Sequence, residues 1–187
     1  MKQLSRPARR ATLVVHVAVS VGWLGLTLGL LTLGIAGYTT GSPETAAVAY
    51  RAMKIFGDWL VLPVALLTLL SGLVLSLRTA WGLARYRWVL TKFWLTLITT
   101  LLSVFSLRPG INHLAAEAAA GAPTPDINLV IAPSVATATY LFMTAISVLK
   151  PWGPTTRGSR LRAAQAAGAR ESRARVGRAT VGAGGAE

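Results

Sequence analysis

The sequence is poor in the residues that most catalytic and metal sites use. It contains no cysteine, which excludes disulfides, thiolate metal sites and cysteine nucleophiles. The three methionines, Met1, Met53 and Met143, are scattered, whereas copper sites favour clustered sulfur and imidazole ligands. The GxSxG, HExxH, P-loop and dinucleotide-binding fingerprints are also missing. We therefore predict no catalytic residue and no metal site, and the sequence leans away from an enzyme.

Long apolar runs dominate what is present. The 187 residues are 53% hydrophobic and 13% charged, and their mean hydropathy is +0.54, which is typical of an integral membrane protein. A spanning helix needs ~20 apolar residues to cross ~30 Å of hydrocarbon. Four segments approach this length and predict transmembrane helices at about 11–37, 56–77, 89–108 and 127–149. With short loops between them, residues 11–150 are predicted to form an all-α, up-down-up-down four-helix bundle.

Charge asymmetry predicts the orientation of this bundle. With both termini in the cytoplasm, all of the 19 lysines and arginines except Arg51, Lys54 and Arg108 fall on the cytoplasmic side, as the positive-inside rule requires. The first apolar run is too long for a cleaved signal peptide. We therefore expect a multi-pass protein of the bacterial plasma membrane, with residues 1–10 as a basic cytoplasmic N-terminus that includes Lys2.

Residues 151–187 form a tail of a different composition, rich in Ala, Arg and Gly. With few large apolar side chains it is predicted to be disordered. Its arginines are expected to lie against anionic inner-leaflet lipids, for ~1 kcal/mol each, or only to fix the topology. Aromatic residues do not interleave with them, so nucleic acid is not an expected partner. The arginines are Arg157, Arg160, Arg162, Arg170, Arg173, Arg175 and Arg178.

Two faces of the first helix carry small or polar residues. Gly22, Gly25 and Gly29 follow one stripe with Ala18, Thr32 and Ala36, and this spacing lets helix backbones approach closely. Gly72 provides a similar position on the second helix. We predict these glycines to be helix-packing residues, either within one monomer or against a second copy or a membrane partner. The opposite face carries His16, Ser20, Trp23, Thr27 and Gly34.

The third predicted helix carries a polar face on the C-terminal side of Lys92. Thr96, Thr99, Ser103 and Ser106 lie within about one quarter of the helical wheel. Such hydroxyls usually hydrogen-bond backbone carbonyls of their own helix or a neighbouring helix. The alternative is a wetted polar track, which a small-solute transporter would need.

His16 and Lys92 are the main candidate ligand-binding residues, because ionisable side chains inside a membrane span are costly and usually have a function. Both are expected about one turn inside the cytoplasmic boundary. His113 is expected at the other side of the membrane, which excludes a haem shared by the two histidines. A haem on His16 alone, with Lys92 nearby, stays open. Asp58 and Arg108 are expected near the outer boundary, where an ion pair between the second and third helices is possible.

Two stretches carry a family resemblance. They are the run from His16 to Gly25 (His-Val-Ala-Val-Ser-Val-Gly-Trp-Leu-Gly) and the run from Ser71 to Lys92, which ends in Trp-Gly-Leu-Ala-Arg-Tyr-Arg-Trp-Val-Leu-Thr-Lys. Over residues 10 to 150 the chain resembles a family of small four-helix membrane proteins of high-GC actinobacteria, a domain of unknown function. The resemblance implies a fold and no activity.

More distantly, the chain is similar to copper-resistance D-type proteins and to the four-helix membrane protoporphyrinogen oxidase. In the oxidase, His and Lys residues serve haem binding and activity, and the resemblance would assign these roles to His16 and Lys92. Three hypotheses follow from the whole sequence. The first is a non-enzymatic bundle that self-associates or binds a membrane partner, the second a haem- or porphyrin-handling redox protein, and the third a small-solute transporter.

Overall fold

The computed structural model describes residues 4–79 and 82–183, with side chains as far as residue 174. Within these ranges the chain is helical and has no β-strand. Its helices are α1 (Arg6–Thr39), α2 (Pro43–Arg78), α3 (Arg87–Ala119), α4 (Asn128–Leu149) and α5 (Thr156–Ala183). The first four are long and apolar enough to cross a membrane, so the prediction of four such helices is confirmed. Lys2, Trp81, residues 184–187 and the side chains of Arg175 and Arg178 lie outside the described residues.

Local signals explain where these helices begin and end. The Ser5 and Ser42 side chains cap α1 and α2 by accepting hydrogen bonds from the backbone N–H groups of Ala8 (3.4 Å) and Thr45 (3.3 Å). A proline stands in the first turn of both helices, where its missing N–H has no helical partner to lose. Helix α4 ends at Leu149, and the capping residue Lys150 adopts a left-handed conformation (φ 47°) directly before Pro151.

Helices α2 and α3 extend beyond the predicted spans. The segment Pro43–Phe56 precedes the predicted start of the second span, and Arg108–Ala119 continues past the predicted end of the third. These two segments pack against each other, and we call them the cap. Each buries an apolar face and also carries charged or polar residues, so their mean hydropathy is too low for a search based on span-length apolar runs.

Both long helices contain a π-helical turn next to the cap. The turns are Gly57–Val61 in α2 and Ser103–Leu107 in α3, and Pro63 and Pro109 follow them. Proline cannot donate a hydrogen bond to the carbonyl four residues earlier, which here belongs to Trp59 and Phe105, inside the two turns. A wider π turn accommodates this loss. The π turns thus allow α2 and α3 to continue past Pro63 and Pro109.

The four long helices contact one another in a ring. Helix α1 packs against α2 and α4, and α3 packs against the same two helices. His16 contacts Ser71 near the start of α1, whereas Gly37 contacts Tyr50 near its end. Lys92 reaches Ser147 at the start of α3. We call the end of the bundle that carries these His16 and Lys92 contacts the terminal end; the cap lies at the other.

The core has two parts. Near the cap, Tyr50 and Met53 are 0% exposed and pack with Leu30, Ile111 and Leu129. A second cluster joins Trp23, Ala65, Tyr140 and Met143, with the Trp23 and Tyr140 ring centroids 4.7 Å apart.

Two glycines of α1 allow close approach at the cap side of the core. A Cβ atom at Gly37 would lie 2.6 Å from Cε1 of Tyr50, and one at Gly34 would overlap the carbonyl oxygen of Leu129. Helix α1 can therefore contact the Tyr50 ring and the Leu129 backbone this closely only because Gly37 and Gly34 lack a side chain.

The predicted disordered tail is instead the helix α5, Thr156–Ala183. Alanine and arginine have high helix propensity, and the Thr155 hydroxyl accepts a hydrogen bond from the Gly158 N–H (3.0 Å) at the start of the helix. The Thr155 N–H donates to Arg85 O (2.9 Å), and Arg162 contacts the Tyr86 hydroxyl. As the composition indicated, α5 buries little surface, since its side chains from Ser159 to Ala174 are exposed.

Candidate functional site

A cleft of about 450 Å³ opens at the terminal end between the four long helices. Its walls are mainly apolar and include Leu13, Val17, Leu24, Leu73, Val89 and Phe93. His16 of α1 and Lys92 of α3 both line this cleft. The structure therefore places in one cleft, on different helices, the two residues that the sequence analysis paired as candidates.

The hydrogen-bonding neighbours of His16 favour a proton on Nδ1. Its Nδ1 lies 2.9 Å from Oγ of Ser71, and that hydroxyl lies 2.6 Å from the carbonyl oxygen of Leu67. Because serine has a single hydroxyl hydrogen, which it donates to Leu67, Oγ accepts from Nδ1–H. With the proton on Nδ1, the neutral imidazole keeps its lone pair on Nε2, and the backbone of Thr68 is a further hydrogen-bonding neighbour of the ring. In this tautomer, Nε2 is the ring nitrogen that can accept a hydrogen bond or bind a metal.

Lys92 reaches across the cleft to α4. Its Nζ donates to Oγ of Ser147 at 2.5 Å, and that hydroxyl donates in turn to the carbonyl oxygen of Met143 at 2.7 Å. No carboxylate pairs with Lys92 in the described part of the chain. Its ammonium is held by one neutral oxygen.

The remaining polar groups of the cleft add to this pattern. Arg9 stands on its wall, and the lining that the structure describes includes no aspartate or glutamate. Oγ1 of Thr68, another lining residue, is buried and has no hydrogen-bond partner among the described groups. The cleft thus combines basic groups and an unpartnered hydroxyl with apolar walls.

The hydroxyl face of α3 does not form one track. Thr96 lines the cleft and donates to Sδ of Met143 at 3.5 Å. Thr99 and Ser103 donate to backbone carbonyls of their own helix at 2.8 Å, those of Leu95 and Thr99. Ser106 is exposed. The sequence grouped these residues by periodicity, but the structure divides them among three environments.

The predicted packing glycines also separate. Gly72 lies against His16, where an added Cβ would be 3.1 Å from Cε1 of the ring, and Gly29 is in ordinary contact distance of Phe56 (3.9 Å). Gly22 and Gly25 are exposed, and a Cβ there would meet no described atom within 4 Å. Packing of these two glycines against a second copy stays a prediction.

A second polar cluster occupies the cap side of the π turns. Asp58 pairs with Arg108 at 3.2 Å, as considered from the sequence, and with Lys54 at 2.6 Å. Lys54 also donates to Oδ1 of Asn112 at 3.0 Å. The Lys54–Asp58 pair has an i,i+4 spacing that the sequence could have revealed had the helix been predicted there.

Metal ligands do not cluster in the described residues, where no group of three His, Cys, Asp or Glu side chains occurs. His113 lies in the cap, 3.6 Å from Glu117, at the other end of the bundle from His16. The two histidines therefore do not share a site. No protein-family model matches the chain, and comparison with curated proteins and with solved structures finds no match.

Proposed function

We propose that this chain is a multi-pass protein of the bacterial plasma membrane whose terminal cleft binds an amphipathic small molecule through His16 and Lys92. The four long helices would span the bilayer in up-down-up-down order, with both termini in the cytoplasm. Contacts between the start of α1 and the end of α2, and between the start of α3 and the end of α4, support this order. The distribution of basic residues supports the orientation.

One observation carries the binding function. His16 and Lys92 line the same largely apolar cleft, whose volume of about 450 Å³ falls in the range of small-molecule sites, about 300–1,000 Å³. A few polar groups on apolar walls are the usual composition of such sites. Haem and other porphyrins belong to this ligand class, and a haem iron would take Nε2 of His16 as an axial ligand.

Filling the cleft tests the binding function directly. Ser20 lines the cleft, whereas Ala18, two residues earlier on the same helix, is exposed outside it. We expect protoporphyrin and hemin to quench the tryptophan fluorescence of the detergent-purified protein saturably. Ser20→Phe should abolish saturable quenching, and Ala18→Phe should keep it. Absence of saturable binding by the native chain, or equal binding by both variants, would contradict the proposal.

Visible spectroscopy then tests haem ligation. Oxidised and reduced spectra of protein from cells supplied with a haem precursor should show a Soret band that His16→Ala loses and His113→Ala retains. A colourless native protein would exclude haem and leave a ligand without iron.

A second candidate is the self-association or membrane-partner binding predicted from the sequence. Its specific support is the exposure of Gly22 and Gly25, which have no contact within the described chain that would account for them. A close helix–helix contact through this stripe would leave the cleft on the other face of α1 intact. Transport has no comparable support, since Thr96 alone of the four hydroxyl residues lines the cleft.

A further inference from the structure

We infer that the ligand of the terminal cleft is an anionic amphiphile, whose carboxylate or phosphate group pairs with Lys92 while its apolar part lies along the cleft wall. This inference rests on the proposed function and adds the chemical class of the ligand.

The hydrogen bonding of Lys92 is the first step. Its ammonium carries three hydrogens, and Ser147 accepts one of them. Ser147 is a neutral partner whose own hydrogen goes to the Met143 carbonyl. A cation on a mostly apolar wall is costly unless an anion compensates it. Lys92 therefore needs a negative partner that its helical neighbours do not provide.

The distribution of acids is the second step. Within the described chain, the acidic residues are Glu44, Asp58, Glu117 and Asp126, which lie in or next to the cap, and Glu171, which lies in α5. None of these belongs to the lining of the cleft, whereas Arg9 and His16 do. Among the described residues, the side chains that line the cleft are therefore basic or neutral, and none is acidic. Because the described chain offers no carboxylate to Lys92, we assign its anionic partner to another molecule.

The shape of the site is the third step. Lys92 points across to α4 and contacts Ser147, so an anion bound there sits inside the four-helix ring. Leu73, Val89 and Phe93 provide the adjoining apolar wall, and the unpartnered Thr68 hydroxyl offers a further donor. A molecule with one anionic group and an apolar body matches this arrangement. Such a group can come from a free fatty acid, a porphyrin propionate or an anionic phospholipid headgroup.

Brominated lipids test the charge requirement, because bromine quenches the fluorescence of nearby tryptophans and Trp23 and Trp88 line the cleft. The full chain is placed in nanodiscs of uncharged phosphatidylcholine and titrated with 9,10-dibromostearic acid or with its methyl ester. We expect saturable quenching by the acid at a concentration about tenfold lower than by the ester. Lys92→Met should remove this preference, and Lys92→Arg should retain it. Lys54→Met, in the cap, is the control.

The outcomes separate the ligand class from the proposed function. Equal saturable quenching by acid and ester, or an unchanged preference in Lys92→Met, overturns the anionic ligand while cleft binding stands. If neither probe quenches saturably and Ser20→Phe behaves like the native chain, cleft binding itself fails. Brominated phosphatidylglycerol distinguishes the sources: saturable quenching by this lipid but not by the acid assigns the anion to a bilayer headgroup, and the reverse assigns it to a free carboxylate.

Discussion

Single residues determine the chemistry of the cleft, and the sequence identified half of them. His16 and Lys92 stand out because each interrupts an apolar run. Their partners Ser71 and Ser147 are 55 residues away in sequence, and both are ordinary helix serines. No periodicity within one helix predicts which residue of another helix it meets. The two candidate residues could therefore be selected from the sequence, whereas the hydrogen bonds that orient them could not.

Removing the Ser71 hydroxyl should destabilise the protein through His16. In Ser71→Ala, the Nδ1–H group loses its acceptor at 2.9 Å, which should lower the free energy of unfolding by about 1–2 kcal/mol. The measurement is unfolding in mixed micelles, carried out as a double-mutant cycle with His16→Ala. The effect of Ser71→Ala should shrink in the His16→Ala background, and strictly additive effects would refute the hydrogen bond as its cause.

Glycine positions on α1 should differ sharply in their tolerance of a methyl group. Gly37→Ala places a Cβ 2.6 Å from the fully buried Tyr50 ring, and such overpacking typically costs about 1–3 kcal/mol. Gly25→Ala, the matched control, adds a Cβ in open space and should leave stability unchanged or raise it by up to about 1 kcal/mol through helix propensity. Thermal unfolding of the two variants compares them. Equal melting temperatures would show that Gly37 is not needed for close approach.

At the scale of the helices, hydropathy predicted the number of long helices but not their ends. The cap segment Pro43–Phe56 contains Glu44, Arg51 and Lys54, so its average is less apolar than that of the rest of α2, although Tyr50 and Met53 are fully buried. An average over a window cannot detect one buried face. In the tail, a helix was missed for a different reason. A lack of apolar side chains argues against a packed domain, but it does not argue against a helix of alanine and arginine such as Thr156–Ala183.

Self-association through α1 should be visible by cross-linking, since the chain has no native cysteine. A single Gly22→Cys substitution puts a thiol on the exposed small-residue stripe, and two copies packed through that stripe should form a disulfide on mild oxidation in membranes. Leu28→Cys, exposed on a different side of the same helix, should stay monomeric. Equal cross-linking at both positions, or none at either, would argue against a dimer built on this stripe.

At the scale of the whole molecule, the distribution of charge predicts which end faces the cytoplasm. Gly41, between α1 and α2, and Gly168, in α5, are exposed, and a side chain at either would meet no described atom within 4 Å. In intact bacterial cells, a membrane-impermeant maleimide should label Gly41→Cys. It should label Gly168→Cys only after the cells are permeabilised. The reverse pattern would place the terminal end outside and contradict the positive-inside assignment.

Helix α2 is one continuous rod that joins the two polar ends of the molecule. It holds Asp58 beside the cap and Gly72 beside His16, with a separation along its axis of about 21 Å, and no loop interrupts it. Over this distance, a tilt of α2 by about 3° about its Asp58 end displaces the backbone at Gly72 by about 1 Å. A force on the exterior of the cap would therefore change the width of the cleft at the other end of the bundle.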